Sequence, residues 1–276
     1  MGTGIVSTDP HTLRRPIAPS PTPGDGLSAP RPCPLISVAV LSYNAEATIQ
    51  DTLDSVLNQA YGPRNIELVI SDDGSADGTP AAITAWLEKH REHFHKARAI
   101  FNEINAGVSR NCNVAWQACS GEWIKTIGAD DLLTADCLST YVDYVLHRKD
   151  CDAVFAKMRW FGAIDRVTPE PSQLAFFDRT AMQQHRLLRY GSFNFAPTSF
   201  LRNSALASVG YADERFRNIE DLPLWLKLTR HGHKLFLIDR ITVNYRVAHS
   251  ISKSSSRFVN LPFLLELIEI HSQQEP

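Results

Sequence analysis

The sequence predicts an α/β fold in which a mostly parallel sheet is covered by helices on both faces. Between residues 35 and 146, short apolar runs alternate with longer stretches whose apolar residues recur at helical spacing. The first run, residues 35–41, is continuously apolar, which is typical of a strand buried on both faces. Because strands that alternate with helices build parallel sheets with crossover helices, this half of the chain predicts such a sheet.

Each predicted element rests on its own local pattern. After strand 35–41, a helix is predicted by apolar residues at helical spacing, and Gly62 and Pro63 end it. The same alternation then continues along the chain. It predicts strand 66–70, helix 79–95, strand 97–101, helix 108–118, strand 122–127, helix 138–145 and strand 152–157.

The second half of the chain is less regular. Past residue 159 the alternation weakens through a proline-containing segment, and it resumes at 197–201, 220–231, 234–238 and 242–246. A last helix is predicted at 261–270, which we expect to pack back on the body rather than dimerise or touch a membrane. Residues 1–34 hold half of the prolines and are expected to be a disordered leader.

Composition excludes several classes of protein. The formal charge is -2 and the basic residues are scattered, so no nucleic-acid surface is predicted. Five cysteines without CxxC spacing predict reduced thiols rather than a disulfide framework or a zinc site. No apolar stretch reaches the roughly 20 residues that span a bilayer, and a cytoplasmic protein is expected.

Polar loops follow four successive predicted strands. In an open α/β sheet the ligand crevice lies outside the carboxyl ends of the strands, so these loops should meet at one edge. Together they offer an aromatic ring, amides, carboxylates and turn glycines, which suits a ligand with ring, hydroxyl and phosphate parts, such as a nucleotide. The loops are residues 42–44, 71–75, 105–107 and 128–131.

Several residues of these loops have a purely structural alternative. Asp73 could accept a hydrogen bond from a pyrimidine base, or the 71–75 loop could be only a turn that starts the next helix. Tyr43 could stack on the base or be an ordinary aromatic at a strand end. Arg110 begins a predicted helix, where a cation is disfavoured unless an anion is near, although an exposed arginine is the alternative.

Two pairs of adjacent acidic residues are candidates for metal binding and for general base catalysis. Asp130 and Asp131 suit Mg2+ or Mn2+ held by one carboxylate with phosphate oxygens and water, or they cap the next helix. Of Glu220 and Asp221, one fits the helix dipole and the other is available as a general base. His249, beside Arg246 near the end of a late strand, could reach phosphate or metal, or be a satisfied ring.

Read together, these motifs resemble the inverting family-two glycosyltransferases of the GT-A fold. The resemblance runs from about residue 35 to 252 and depends on the order and spacing of several segments. They are Ser-Val-Ala-Val-Leu-Ser-Tyr-Asn at 37–44, Leu-Asn-Gln at 57–59, Ser-Asp-Asp-Gly-Ser at 71–75, Asn-Ala-Gly-Val-Ser-Arg-Asn at 105–111 and Ser-Gly-Glu-Trp-Ile at 120–124.

The resemblance implies a role for each candidate residue. Tyr43, Asn44 and Asp73 line the base pocket, with Arg110 near the nucleotide. Asp130 is the metal-binding acid of the DxD signature, and Gly128 departs from it where many relatives have the first Asp. Asp131 would bind the nucleotide or support the loop, and His249 would bind the metal. Glu220 and Asp221 resemble the family's ED motif, with Asp221 as the catalytic base.

The resemblance also implies an activity and a division of the chain. A sugar would pass with inversion from a nucleotide-diphosphate sugar to a glycan or lipid-linked acceptor, in surface polysaccharide or glycan synthesis. Residues 35–158 form the expected nucleotide half and 159–252 the acceptor half, followed by a helix and tail at 253–276. This activity is compatible with a cytoplasmic location. Residues 261–270 could then contact the inner face of the membrane.

Two other functions stay open at this point. A nucleotidyltransferase would share the sheet and the acidic site, but it should carry a glycine-rich, basic loop after the first strand, where this chain has Ser-Tyr-Asn-Ala-Glu at 42–46. A non-catalytic nucleotide- or glycan-binding protein is favoured if Gly128 reflects lost metal binding. Turnover of a sugar nucleotide separates these cases.

Overall fold

The fold is organised around one mixed sheet. The computed structural model describes residues 33–191, 195–247 and 261–272, and within these ranges nine strands join in the order β3-β2-β1-β4-β8-β6-β9-β5, with β7 paired to β6. The strands are β1 Ile36–Ser42, β2 Ile66–Asp72, β3 Lys96–Phe101, β4 Trp123–Gly128, β5 Leu132–Leu133, β6 Ala153–Phe161, β7 Arg166–Thr168, β8 Phe200–Arg202 and β9 Leu235–Arg246.

Helices cover both faces of this sheet, as the sequence predicts. On β1, Val38 and Val40 point into one apolar cluster with α1, α2 and α4, whereas Ala39 points into a second cluster with α3, α6, α7 and α8. The helices are α1 Ile49–Leu57, α2 Thr79–His90, α3 Val108–Ala118, α4 Cys137–Leu146, α5 Ala181–Leu188, α6 Asn203–Ser208, α7 Asp221–Arg230 and α8 Leu261–Ser272.

The sheet is less parallel than the sequence predicts. Strands β3, β2, β1 and β4 are parallel, as are β6 and β9, but the other four pairings between the described strands are antiparallel. Short connections account for part of this difference. Only residues 162–165 separate β6 from β7, which is too short for a parallel crossover, so these two strands pair antiparallel.

Two predicted strands near the end of the chain are one strand. The segments 234–238 and 242–246 form the continuous strand β9, which pairs with β6 through register shifts around Lys157. Asp239, between the two predicted segments, forms an ion pair with Lys157 of β6 where the register shifts.

The last helix packs back on the body, as expected. Ile270 of α8 is buried in the second apolar cluster, with Phe263 and Leu267 packed against it. Its opposite face exposes apolar side chains. None of the helices in the described ranges is both long and apolar enough to cross a bilayer. The five cysteines form no disulfide, and all except the exposed Cys33 are buried.

The junction between the parallel strands and the rest of the sheet is an aromatic stack. Phe200 of β8 is fully buried, with its ring centroid 5.0 Å from that of Trp123 on β4 and 4.8 Å from that of Tyr141 on α4. Such stacked pairs add to the stabilisation from buried area. Phe200 therefore ties β4, β8 and α4 together.

We expect Phe200→Ala to lower the free energy of unfolding by about 3–5 kcal/mol, because it removes a fully buried ring and leaves a cavity. Urea denaturation followed by tryptophan fluorescence measures the change. Tyr190→Ala is the control, since Tyr190 is 88% exposed and its loss should change stability little. Equal effects of the two substitutions would contradict this account of the junction.

Candidate active site

The ends of the parallel strands bring the candidate loops to one edge of the sheet. Ser42 is level with Asp72 across β1 and β2, and Leu41 is level with Gly128 across β1 and β4. Backbone bonds continue past the strands, from the Asp73 N–H to the Ser42 carbonyl at 2.8 Å and from the Ala129 N–H to the Leu41 carbonyl at 2.9 Å. The predicted common edge is therefore present.

The 71–75 loop is fixed by its own two aspartates. Asp72 accepts hydrogen bonds from the backbone N–H and the hydroxyl of Ser75, which is the turn structure weighed from the sequence. Asp73 is 3% exposed, and its two carboxylate oxygens accept from the N–H groups of Ala106 and Gly107, each at 2.9 Å. Asp73 thus binds the loop after β3 to the end of β2.

Asn44 joins the first loop to the second. Its backbone φ of 47° lies in the left-handed region, which asparagine tolerates better than most residues. In this conformation its N–H donates to the Ser75 hydroxyl at 2.7 Å, and its side-chain oxygen accepts from the Ala76 N–H at 2.9 Å. Asn44 therefore holds the 71–75 loop in place.

Two side chains at this edge face solvent. Tyr43 is 46% exposed, and Arg110 is exposed in the first turn of α3. Among the described residues, Arg110 has no hydrogen-bond or ion-pair partner. An aromatic face and a cation are thus open beside the buried Asp73, as a stacked base and a phosphate require.

Asp130 and Asp131 differ in their surroundings. Asp130 is half-buried, whereas Asp131 is 2% exposed and accepts from the backbone N–H of Arg246 at 2.9 Å. Burial raises the pKa of Asp131 well above its usual range, and the neighbouring Asp130 adds to the rise. Arg246 also donates from Nε to the Asp130 carbonyl, so β9 supports the whole pair.

Gly128 lies directly against the Asp130 carboxylate. A Cβ at position 128 would stand 3.0 Å from Asp130 Oδ1 and 3.9 Å from Asp131 Oδ2. The first distance is close enough that the carboxylate would have to shift. The absence of a side chain at 128 therefore leaves the space on this side of Asp130 open.

Glu220 and Asp221 begin helix α7. Burial, reinforced by Asp221, raises the pKa of Glu220 to about 8. Burial also raises the pKa of Asp221, although its Oδ1 accepts a 2.7 Å hydrogen bond from the Leu222 N–H. Pro223 lies in the first turn, where a missing N–H costs nothing.

The buried thiol of Cys112 connects this pair with the nucleotide-side loops. Burial raises the pKa of Cys112, and the charges of Glu220, Asp221 and Asp73 raise it further. The Arg217 side chain, three residues before Glu220, binds Asn105 in the same loop that Asp73 holds through the Ala106 N–H. The fold brings together the 71–75 loop and a pair of acids that lies almost 150 residues later in the chain.

Comparison with known proteins agrees with this geometry. The family model described as Glycosyl transferase family 2 matches residues 37–210. The chain belongs to glycosyl transferase family 2. This family assignment confirms the resemblance predicted from the motifs of the first half.

Similar proteins are also glycosyltransferases, and their matches cover different shares of this chain. The chain is 25% identical over 225 residues to the putative teichuronic acid biosynthesis glycosyltransferase TuaG of Bacillus subtilis, covering 80% of this chain and 82% of TuaG. It is 32% identical over 113 residues to an uncharacterized glycosyltransferase of Haemophilus influenzae. That match covers 41% of this chain and spans only a third of the relative, 33%.

A solved structure confirms the fold. The crystal structure of residues 1–349 of S. aureus TarS in complex with UDP-GlcNAc matches with a TM-score of 0.67 and 22% identity, covering 85% of this chain and 65% of TarS 1–349. The likeness shows that this member of family 2 has the same fold. The GT-A fold expected from the sequence is therefore confirmed, with a mixed sheet.

The donor set around Asp130 fits a divalent cation of the kind this family typically uses. The described residues include no group of three or more His, Cys, Asp or Glu that could enclose a metal. A single carboxylate ligand from the protein, such as that of Asp130, is nevertheless enough for Mg2+ or Mn2+, because these ions keep several waters and bind substrate phosphates. His249, the second predicted ligand, lies outside the described residues.

The structure identifies contacts that the sequence did not predict. Arg217 donates from its guanidinium to the carbonyl and the side-chain oxygen of Asn105, at 2.7 and 2.5 Å. Lys125 is fully buried and donates from Nζ to the Pro197 carbonyl at 2.6 Å, and burial lowers its pKa to about 8. Both contacts join segments more than 70 residues apart, so no local pattern could reveal them.

We expect Glu220→Gln to change how stability depends on pH. A carboxyl whose pKa is raised from 4.5 to about 8 keeps a proton in the folded state that the unfolded chain loses, so stability falls as pH rises through this window. The free energy of unfolding of the variant should therefore rise relative to that of the wild type between pH 5 and 8. The gain should reach at least ~1.4 kcal/mol, the equivalent of one pKa unit.

Urea denaturation at a series of pH values, without metal or nucleotide, measures this effect. Glu88→Gln is the matched control because Glu88 is exposed on α2. A constant difference between Glu220→Gln and the wild type across the window would show that Glu220 does not titrate in the way its surroundings imply.

Proposed function

We propose that the chain transfers a sugar from a nucleotide-diphosphate sugar to an acceptor hydroxyl, with inversion, in the synthesis of a surface polysaccharide or glycan. The observation that carries the proposal is the half-buried acidic pair at the start of α7, next to the nucleotide-side loops. Membership of family 2 and relatives such as TuaG support it. The reaction needs a base on one side of the sugar and a stabilised diphosphate on the other.

Asp221 is the base of the proposed reaction. Because burial and the neighbouring Asp221 raise the pKa of Glu220 to about 8, Glu220 would hold a proton near neutral pH and leave Asp221 as the candidate base. Burial raises the pKa of Asp221 as well, which makes its carboxylate a stronger base than an exposed one. It would take the proton of the acceptor hydroxyl as that oxygen attacks the anomeric carbon.

The nucleotide would lie along the loops at the sheet edge. Tyr43 would stack on the base, with Asn44 and Asp73 shaping the pocket, and Arg110 would bind phosphate. The charge and exposure of Arg110 support its role, since an anion near the start of α3 would also interact favourably with the helix dipole. Asp131 would act from beneath, by holding this edge to β9.

Asp130 would bind Mg2+ or Mn2+ together with the donor diphosphate. When bound, the cation supplies charge neutralisation for the leaving nucleotide. Asp130 is suited to this role because it is half-buried and its backbone is held by Arg246. His249 remains a second candidate ligand.

The acceptor and the place of action also belong to this proposal. A glycan or a lipid-linked acceptor fits the relatives, and the residues beyond 159 would bind it. Work in the cytoplasm beside the inner face of the membrane is supported by α8, which exposes Leu261, Leu265 and Ile268. No partner among nucleic acids is expected.

One alternative has an observation in its favour. Gly128 replaces the first acid of the DxD signature, and this could leave a protein that binds a nucleotide or glycan without turning it over. The half-buried pair of Glu220 and Asp221 argues against this alternative, because strongly raised pKa values cluster at functional sites. A nucleotidyltransferase has no comparable support in the 42–46 loop.

We expect Asp221→Asn to reduce turnover by at least ~10²-fold, since it removes the general base. Binding of the nucleotide product should change little because the amide is close in size to the carboxylate. Release of nucleotide from a panel of sugar nucleotides measures turnover, and calorimetry measures binding. Asp150→Asn is the control, since Asp150 is exposed and lies outside the proposed acceptor half. Wild-type turnover in Asp221→Asn would disprove the base assignment.

We expect Mn2+ to increase the thermal stabilisation given by the correct sugar nucleotide, and Asp130→Asn to remove that increase. A ligand at 100 times its Kd stabilises the folded state by about 2.7 kcal/mol, so the effect is measurable as a shift in Tm. Asp136→Asn is the control, because Asp136 is half exposed and pairs with Arg240 away from the loop. An unchanged Mn2+ effect in Asp130→Asn would disprove metal binding by Asp130.

A further inference from the structure

The carboxylate of Glu266 on α8 binds the loop that precedes the acidic pair. It accepts three hydrogen bonds, from the backbone N–H of Arg217 at 3.1 Å, from the backbone N–H of Asn218 at 2.8 Å and from the Asn218 side-chain amide at 2.7 Å. Hydrogen bonds to an ionised acceptor are among the stronger ones in proteins. The loop is therefore fixed to the last helix of the chain.

The helix that carries Glu266 is itself held on the body. Phe263, Leu267 and the buried Ile270 lie on the packed side of α8 and contact the second apolar cluster. Glu266 lies on the same side, one residue before Leu267. Its carboxylate is thus presented from a fixed backbone rather than from a free tail.

The loop transmits this support in two directions. Ile219 is 3% exposed, and it alone separates Asn218 from the acidic pair. On the other side, the Arg217 side chain binds Asn105, and a Cβ at Gly107 would collide with it. Because Asp73 binds the Gly107 N–H, the contacts of Glu266 continue to the loop that shapes the nucleotide side.

Catalysis depends closely on such support. A displacement of about 1 Å by a change outside the reacting groups can cost ~10²-fold in rate. The carboxylate of Asp221 begins a helix, so its position follows that of the loop before it. None of the residues that bind Glu266 is a proposed catalytic residue.

We propose that Glu266 is a positioning residue that sets the place of Asp221 and of the Asn105–Gly107 loop through Arg217 and Asn218. The proposal rests on the proposed function of Asp221 as the base. It assigns a role in the reaction to the last helix of the described chain, which the family motifs do not reach.

The test compares Glu266→Gln with Glu269→Gln. Both remove one negative charge from α8, but only the first removes an acceptor of the loop hydrogen bonds, and Glu269 is exposed. We expect Glu266→Gln to lower kcat by ~10- to 100-fold, with little change in donor KM or nucleotide Kd. Glu269→Gln should keep wild-type kcat. Glu266→Asp, which keeps the charge, should fall between wild type and Glu266→Gln.

Two further measurements separate positioning from general stability. Hydrogen exchange of the backbone amides at 214–222 should accelerate in Glu266→Gln, because the glutamine keeps one acceptor oxygen and can no longer accept from the Arg217 and Asn218 N–H groups through two oxygens. In a double-mutant cycle, Asn218→Ala and Glu266→Gln should be non-additive in kcat, since each breaks the same contact. The melting temperature should stay close to that of Glu269→Gln.

Three outcomes would overturn the proposal. Unchanged exchange at 214–222 in Glu266→Gln would show that the contact does not hold the loop. Wild-type kcat in Glu266→Gln, when Asp221→Asn is inactive, would disprove the role of Glu266 while leaving the proposed base intact. Full turnover in Asp221→Asn would remove the base assignment and the positioning role with it.

Discussion

The site depends on one constraint, the burial of β1 on both faces and along both edges. β1 pairs with β2 on one side and β4 on the other, and its apolar side chains enter the core on both faces. The loops at the carboxyl ends of these strands therefore form the crevice in which such sheets bind ligands. Tyr43, Asp73 and Asp130 lie together there because each follows the end of a buried strand by one or two residues.

Carboxyl groups that are shielded from water near this edge lower the stability of the fold, and hydrogen bonds from distant segments offset this loss. The pKa values of Asp131, Glu220 and Asp221 are all raised, chiefly because burial disfavours their charged forms. A fold selected for stability alone would avoid such groups. Here they are retained by neighbours from distant segments. Arg246 donates to the acidic loop from β9, and Glu266 binds the loop before α7.

The sequence predicts the parallel half of this fold and its site better than the rest, for physical reasons. Continuous apolar runs and helical periodicity are local, so α3 is predicted at its observed bounds and Asp73 is correctly placed at a strand end. Other contacts join segments that are remote in the sequence. β8 pairs between β4 and β6, and Glu266 accepts a hydrogen bond from the Asn218 side chain. They leave no periodic signal in either segment.

Gly128 connects the metal chemistry to the fold. An acid at this position would point its Cβ at the Asp130 carboxylate, 3.0 Å from Oδ1, and would add a third negative charge beside Asp131. Burial already keeps Asp131 from ionising easily, and its Oδ1 is bound to β9. Asp130 is thus the carboxylate of this loop that we propose as the metal ligand. Mg2+ or Mn2+ bound there would draw most of its remaining ligands from the donor diphosphate and water, which links metal binding to donor binding.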